Sequence, residues 1–323
     1  MQTSLTTQIK ATRDYSLDWI SGLLILHMII GHIAGWVEMD YPVNNILFFF
    51  MPWFFFKGGM FHRHKEWKVE LNKSFKRLII PFIVFSIIGQ AIWTIRLLCL
   101  HETDIVKYIG FPGTFILYGA FHGNAPLWFL FSLFIVRIAF NSFETKIKWF
   151  NIAIMSIALA CLFNYMGLSR PYYLLNIVTG LFYYSIGYGL RQIQYNDRFF
   201  LICLCLTLLI AVTHPIYVDM RSNQFSSGCY PIWFIYCTAA IVSIDYILKH
   251  LPSIHCNSFG LKHIGLHAMP LYISHWIVLT FVDCIIILIG GVEKGSHFIA
   301  LSIGCLILLP VCCYFIEKHF KLI

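Results

Sequence analysis

The sequence predicts an all-α, polytopic membrane protein with about ten transmembrane helices and with both termini in the cytoplasm. Of its 323 residues, 59% are hydrophobic and only 12% are charged, whereas a soluble domain carries about 25% charged residues. Aromatic residues make up 17% of the chain, which is typical of membrane interfaces and packed membrane helices. The distribution of the basic residues then predicts the orientation.

Ten apolar segments are candidate spans, because a helix needs about 20 apolar residues to cross the hydrocarbon core. The first should stay in the chain, since polar residues precede it and no small-residue cleavage site follows it. The glycine-containing stretch 105–121 is interpreted as a re-entrant or interfacial segment. Alternatively it is an extra transmembrane helix, which would reverse the membrane orientation of every later span. The predicted spans are 17–36, 44–61, 79–98, 126–141, 149–168, 171–190, 199–214, 230–248, 266–290 and 297–316.

The basic residues favour ten spans. With the N-terminus inside, 18 of the 23 lysines and arginines fall in cytoplasmic segments, as the positive-inside rule expects. The outer side would carry only Arg96, Lys107, Arg170, Arg221 and Lys294. Inner loops that face anionic lipid explain the net charge of +8, so membrane lipids are expected partners and nucleic acid is not. The whole chain, 1–323, is predicted to be one membrane-embedded domain.

Residues 57–78 are predicted to form a basic cytoplasmic loop, which reads KGGMFHRHKEWKVELNKSFKRL. Its cations either set the topology and contact lipid head groups, or they bind a phosphorylated small molecule, because Lys and Arg suit phosphate. No Walker-type or GxGxxG loop occurs, so a kinase, an ATPase and a dinucleotide enzyme have no support. The pair His62 and His64 is too small for a metal site and HExxH is absent, so no metal is expected.

The first apolar segment contains two histidines, in the stretch SGLLILHMIIGH over residues 21–32. An unsatisfied polar group in hydrocarbon costs several kcal/mol, so each imidazole needs a partner or a function. Ser21 and His32 are eleven residues apart, which returns to nearly the same helix face about 16 Å along the axis. Asp18 shares that polar stripe, and His27 projects roughly opposite. The two histidines therefore face different neighbours, and a single site that uses both is not expected.

Six short motifs follow one another along the chain: LDWISG at 17–22 with His32 after it, FMPWFFF at 50–56, KRLIIP at 76–81, PLWFL at 126–130, LYISH at 271–275 and YFIEK at 314–318. In this order they resemble the acyltransferase 3 family of membrane acyltransferases, particularly its fucose 4-O-acetylase-like branch. The resemblance implies transfer of an acyl group, commonly acetyl from cytoplasmic acetyl-CoA, to a hydroxyl of an extracytoplasmic glycan or lipid-linked saccharide. It also implies a bacterial inner membrane.

This chemistry needs a general base, and histidine is the usual one. We interpret His32 as that base, with Asp18 as the second catalytic residue. The predicted acyl-CoA-binding residues are Ser21, Lys57, Arg63, Lys73 and Arg77. The predicted acceptor-binding residues are Trp128, Tyr272 and His275, although Trp128 could instead be an interfacial anchor and His275 a packing residue.

Ser21 departs from the family pattern, which usually places Arg or Lys eleven residues before the helix-one histidine. Lys57, at the inner end of the second predicted span, is the hypothesised replacement, since a short outer loop joins the first two spans. Two alternatives stay open: an exporter of polysaccharide or a lipid-linked intermediate, and a catalytically silent assembly partner.

Overall fold

A computed structural model describes residues 15–104, 111–168, 170–191, 193–214, 218–221, 224–225, 230–250, 260–291 and 293–320. Helices make up almost all of the regular structure in these residues. They are α1 (Ser16–Trp36), α2 (Phe50–Met60), α3 (Trp67–Ser74), α4 (Ile80–Cys99), α5 (Phe111–Tyr118), α6 (Trp128–Phe143), α7 (Trp149–Tyr165), α8 (Tyr172–Leu190), α9 (Asp197–Thr213), α10 (Tyr230–His250), α11 (Leu261–Leu266), α12 (Ala268–Leu288) and α13 (Lys294–Phe320). A two-residue antiparallel ladder pairs β1 (Val218–Asp219) with β2 (Gln224–Phe225).

Six helical segments of the described chain are long and apolar enough to cross a membrane. Four are single helices, α1, α10, α12 and α13, and two are composite segments, Trp67–Cys99 and Gly113–Phe143. The fold is therefore helical and suited to a multi-pass membrane protein. The figure of ten spans and the side on which each terminus lies stay predictions.

The stretch 105–121 lies partly outside the described residues, which begin again at 111. Its described part forms α5, whose eight residues extend only about 12 Å. A helix of that length cannot cross a hydrocarbon core of about 30 Å by itself. It does, however, contribute to the composite segment that ends at Phe143, so both sequence interpretations of this stretch stay open.

Two of the predicted boundaries are wrong. The predicted span 44–61 contains a helix of only 11 residues, α2, because a 3₁₀ turn at Pro42–Asn45 and an irregular connection precede it. The predicted basic loop 57–78 is mostly helical: Lys57 lies within α2, and only the connection 61–66 separates α2 from α3, which continues through a π-helical turn at Phe75–Ile79 into α4. Buried Glu70 stabilises α3, since Ser74 one turn later donates to its carboxylate over 2.8 Å.

The helices pack in two main groups. In one, α1 packs against α11 and α12, and α12 packs against α13 and α4. In the other, α8 packs against α2, α6 and α7. A 3₁₀ turn at His122–Leu127 contacts α4 and α12 and leads directly into α6, so it connects the two groups. The candidate site lies where they meet.

Glycines allow two of these helix pairs to approach at backbone distance. A Cβ at Gly22 of α1 would lie 2.1 Å from the Leu261 carbonyl oxygen, and one at Gly265 of α11 would lie 1.6 Å from the Asp18 carbonyl oxygen. Gly59 of α2 and Gly187 of α8 form an equivalent pair. Such small-residue contacts are typical of helices that associate in membranes, and the first pair fixes the start of α1 against α11.

Candidate active site

A cavity of about 520 Å³ lies between the two helix groups. Three of the residues predicted for the site line it: His32 from α1, Trp128 from α6 and Tyr272 from α12. Its remaining walls are largely aromatic and apolar, with a few polar groups among them, as is usual for small-molecule sites. Those additional lining residues include Trp36, Trp93, Arg96, His122, Asp219, Arg221 and Trp276.

Aromatic rings hold His32 in place. Its imidazole stacks on the ring of His275, with centroids 5.2 Å apart and planes inclined by 23°, and meets the Trp276 indole edge-on at 5.3 Å. Trp276 in turn packs edge-on against Trp36 at 5.0 Å. Since α1 and α12 pack together, residues 240 positions apart in sequence form one cluster around the candidate base.

His27 has different neighbours, as predicted. Its Nδ1 lies 3.3 Å from the Tyr41 hydroxyl, and its ring stacks on Tyr41 and meets Phe50 edge-on. These contacts join α1 to the segment that leads into α2. His27 is buried and is absent from the cavity wall, which fits a packing role.

His275 lies behind the cavity wall rather than in it. Its side chain is fully buried, and its Nδ1–H donates to the Tyr272 carbonyl over 2.7 Å. Tyr272 does line the cavity, but its hydroxyl donates to the Pro126 carbonyl. The ring of Tyr272 can therefore contact an acceptor, whereas His275 cannot reach one directly in this arrangement.

The turn before Trp128 is built to hold that side chain against the cavity. The Asn124 amide donates to the Ile273 carbonyl over 3.1 Å, and the Gly123 N–H donates to the Gln90 side chain over 3.1 Å. A Cβ at Gly123 would lie only 2.4 Å from the Gln90 backbone, so this position requires glycine. The turn is thus fixed to both α4 and α12, and Trp128 follows it as the first residue of α6.

Arg96, which lines the cavity, is held in a fixed orientation. Its guanidinium carbon lies 5.2 Å from the Trp36 ring centroid and 5.0 Å from that of Trp93. Its Nε donates to Asp283 over 2.6 Å, and the other oxygen of that buried carboxylate accepts from His297 over 2.8 Å. Arg96 therefore spans α4, α12 and α13, where cation–π contacts and a charged hydrogen bond both stabilise it.

Sequence reasoning missed this Arg96 cluster and the charged pair Asp219 and Arg221, which also line the cavity. The backbone N–H of Arg221 donates to the Asp219 carboxylate over 3.0 Å. Arg96 and Arg221 were noted only as two of the few outer cations. Their predicted position on the outer side was the one feature that set these two arginines apart in the sequence. A count of charges does not show which helices bring them together.

Lys57, Ser21 and Asp18 form a second cluster, farther toward the N-terminus of α1. The Lys57 ammonium donates to the Ser21 hydroxyl over 2.8 Å and lies 3.5 Å from an Asp18 carboxylate oxygen. The predicted adjacency of Lys57 and Ser21 is thus observed. Their roles in binding a donor stay a prediction.

The structure does not bring the two predicted catalytic residues, Asp18 and His32, together, and the catalytic role of Asp18 stays a prediction. They are fourteen residues apart on one continuous helix, which separates them by about 21 Å along its axis. The carboxylate of Asp18 contacts Lys57 instead. The cavity begins at Met28, and Leu24 and Ile25 are fully buried between it and Ser21.

The other predicted donor-binding cations lie along the connection and the helix that follow α2. Arg63 is exposed, whereas Lys73 and Arg77 are half-buried. Lys65 and Arg77 are charged neighbours of Lys73. The carboxylate of Glu70 offsets part of the positive charge in this region, since it accepts a hydrogen bond from Arg137 of α6 over 2.6 Å. The structure thus brings Lys73 and Arg77 near one another on a half-exposed surface.

The connection 61–66 is fixed to α6 and α8 through a buried histidine. His62 Nε2–H donates to Glu144 over 2.7 Å, its Nδ1 lies 2.9 Å from the Tyr184 hydroxyl, and exposed His64 contacts the same Glu144 oxygen over 2.8 Å. Burial lowers the pKa of His62 below its ordinary value, and the hydrogen bond to Glu144 opposes this change. No group of three or more His, Cys, Asp or Glu side chains suited to a metal occurs in the part of the chain that the structure describes.

Comparison with known proteins agrees with the sequence motifs. A family profile described as an acyltransferase domain matches residues 14–317, which is nearly the whole chain. No curated protein and no solved structure matches. The match includes His32, Trp128 and Tyr272, which the fold brings to one cavity. The chain belongs to the acyltransferase 3 family.

Proposed function

We propose that this membrane acyltransferase is an O-acetyltransferase that moves an acetyl group from cytoplasmic acetyl-CoA to a hydroxyl of an extracytoplasmic or lipid-linked glycan, with His32 as general base. The observation that carries the proposal is the position of His32, which faces a cavity of about 520 Å³ lined by Trp128 and Tyr272. A setting in the bacterial inner membrane belongs to the same proposal.

The cavity suits a saccharide acceptor. Trp36, Trp93 and Trp128 offer flat apolar faces, against which the faces of a sugar ring can pack. Arg96 and Asp219 provide a donor and an acceptor for hydroxyls on the same ligand. A few polar groups among aromatic walls fix the orientation of a small ligand, so one hydroxyl can be directed toward His32.

In the proposed reaction His32 removes the proton of the acceptor hydroxyl as the hydroxyl oxygen bonds to the acyl carbon. The carbon–sulfur bond of the thioester then breaks, and the imidazolium returns its proton to the departing thiolate. The products are an acyl ester of the glycan and free CoA, so atoms and charge balance. Positioned proton transfer of this kind contributes about 10²- to 10⁴-fold to a rate.

Lys57 is the residue proposed to bind the donor in place of the usual helix-one cation. Acetyl-CoA supplies an activated acyl group and several phosphates, and Lys57 has its ammonium 2.8 Å from the Ser21 hydroxyl. A lysine from the second helix can thus place its charge beside Ser21, the position at which the family usually carries Arg or Lys. Arg63, Lys73 and Arg77 would add positive charge on the same side. Lys and Arg side chains form strong charge-assisted hydrogen bonds with phosphate oxygens.

The donor and acceptor sites lie about 16 Å apart along α1, judged from Ser21 to His32. The thioester arm would therefore extend past Leu24 and Ile25, which are closely packed. Local separation of helices beside these two residues is part of the proposed mechanism. An export function would need a continuous path through the membrane for the whole saccharide. Such a path requires a wider opening between the helices than the thioester arm does.

The deciding experiment measures acetyl-CoA binding and thioester consumption by the purified protein in nanodiscs, with wild type beside His32→Ala. We expect both proteins to bind acetyl-CoA, and we expect His32→Ala to consume it with a lipid-linked glycan acceptor only at a small residual rate. His27→Ala is a matched control on the same helix, and it should retain turnover.

Equal turnover by wild type and His32→Ala would remove His32 as the base. Absence of acetyl-CoA binding in both proteins would overturn the proposed function and leave the exporter and the silent assembly partner. Those two then differ in whether the protein moves a labelled lipid-linked saccharide across a vesicle membrane.

A further inference from the structure

We propose that His275 is a positioning residue that accepts a hydrogen bond from His32 and so directs the other nitrogen of His32 into the cavity. This inference rests on the proposed function, because it concerns the base of that reaction. It also replaces the predicted role of His275 in acceptor binding, since this side chain lies behind the cavity wall.

The hydrogen bond to the Tyr272 carbonyl fixes the tautomer of His275. A carbonyl only accepts, so Nδ1 must carry the proton in the 2.7 Å contact. In the neutral ring the other nitrogen, Nε2, then has a lone pair and no proton. The fold therefore presents a hydrogen-bond acceptor at a fully buried position inside a membrane helix.

That acceptor lacks a donor in the described part of the chain. The Nε2 atom of His275 is buried and has no hydrogen-bond partner there. A buried polar atom without a partner costs free energy, and where one occurs beside an active site a catalytic role is a reasonable explanation. A candidate donor is the neighbouring imidazole of His32, whose ring centroid lies 5.2 Å from the ring centroid of His275.

The two rings are stacked at 23°, and stacking alone does not align an N–H with a lone pair. Rotation of the His32 imidazole about its Cβ–Cγ bond, or one water between the rings, completes the hydrogen bond. His32 lines the cavity and His275 does not. One nitrogen of His32 would then donate to His275, while the lone pair of the other faces the acceptor hydroxyl.

The resulting chain runs from the Tyr272 carbonyl through His275 to His32. When His32 takes the proton of the acceptor hydroxyl, its second N–H keeps the bond to His275, which stabilises the imidazolium. The proton later leaves to the thiolate from the nitrogen that received it. His275 itself gains and loses no proton, so it needs no solvent access.

Two substitutions separate positioning from packing. His275→Gln keeps one donor for the Tyr272 carbonyl and one acceptor for His32, but it removes the ring. His275→Phe keeps the aromatic ring and the stacking, but it removes both polar atoms. We expect His275→Phe to lower kcat at least about tenfold, which is part of the 10²- to 10⁴-fold that proton transfer by a positioned base contributes, with little change in KM for the acceptor. His275→Gln should retain most of the wild-type kcat.

A double-mutant cycle that combines each His275 variant with His32→Ala tests whether His275 acts through His32, even where a substitution alters the packing. If His275 acts through His32, His275→Phe should not lower the residual rate of His32→Ala any further, because residues that act as a unit are non-additive. Higher kcat in His275→Phe than in His275→Gln, or additive losses in the cycle, would overturn the inference.

The outcomes also distinguish this inference from the proposed function. Loss of turnover in His32→Ala together with full turnover in His275→Phe removes only the role of His275. Full turnover in His32→Ala removes the base itself, whatever His275 does.

Discussion

At residue scale, Ser21 shows how a missing charge on one helix can be supplied by another. The Lys57 ammonium lies beside the Ser21 hydroxyl, but it also lies 3.5 Å from the buried Asp18 carboxylate. Lys57 therefore has two possible roles, which are to neutralise Asp18 or to bind the phosphates of the donor. Substitutions at these three positions can separate the two.

We predict that Lys57→Gln raises KM for acetyl-CoA by about tenfold or more, since a hydrogen bond to a charged group contributes about 1.5–3 kcal/mol. Adding Ser21→Lys should restore much of the lost affinity. The new lysine replaces the side chain that the Lys57 ammonium contacts, so its own ammonium can supply positive charge to the same region. Steady-state kinetics with varied acetyl-CoA measure both effects.

The control is Lys57→Gln combined with Asp18→Asn, which also removes the negative charge that Lys57 contacts. If Lys57 binds the donor, this double variant stays as weak as Lys57→Gln. Recovery of wild-type KM in the double variant would mean that Lys57 only neutralises Asp18.

At the scale of elements, the close contact of α1 with α11 sets the position of the Lys57 cluster. Gly265 approaches the Asp18 carbonyl oxygen so closely that an added Cβ would lie 1.6 Å from it. Backbone atoms cannot rotate away as a side chain can, so the two helices themselves would have to separate. Such a shift would move Asp18 relative to Lys57.

We predict that Gly265→Ala destabilises the protein by about 1–3 kcal/mol or more, which is the usual cost of overpacking. The thermal unfolding midpoint in detergent measures this change. Gly295→Ala in α13 is the matched control, because its Cβ would meet nothing within 4 Å, and alanine is favoured over glycine in a helix by about 0.5–1 kcal/mol. Equal midpoints for Gly265→Ala and wild type would contradict the assigned packing.

At the scale of the whole molecule, the topology depends on how many of the helices cross the membrane. Six candidate spans satisfy length and composition in the described residues, whereas the charge distribution favours ten. The two numbers differ at short helices such as α2, with 11 residues, and α5, with eight. Short helices enter a membrane fully only when neighbouring helices cover their ends.

We predict that both termini are cytoplasmic, because this topology puts 18 of 23 basic residues inside. A fluorescent protein fused after residue 323 should therefore fluoresce, and alkaline phosphatase fused there should be inactive. A further fusion after Lys294 should give the opposite pattern. Active phosphatase at the C-terminus would instead support an extra crossing helix within 105–121.

Much of the fold and part of the site could be predicted from the sequence. Hydrophobic runs determine where helices form, because a backbone in lipid must satisfy its own hydrogen bonds, and a described helix overlaps each predicted span. Motifs in order identified the family, and the helical repeat placed His32 and His27 on different faces of the first helix. Helix boundaries near α2 and α3 could not be predicted, since turns and buried ion pairs end or extend those helices.

Only the tertiary structure decided which residues share a site. It brought Tyr272 and Trp128 to His32, placed His275 behind the wall, and brought Asp18 into contact with Lys57. It also revealed Arg96 between two tryptophans and bound to Asp283, 187 positions away in sequence. The sequence by itself determined the helices, the family and the candidate base, because these follow from local composition and motifs. The neighbours of each side chain depend on how distant helices pack, and no local pattern encodes that packing.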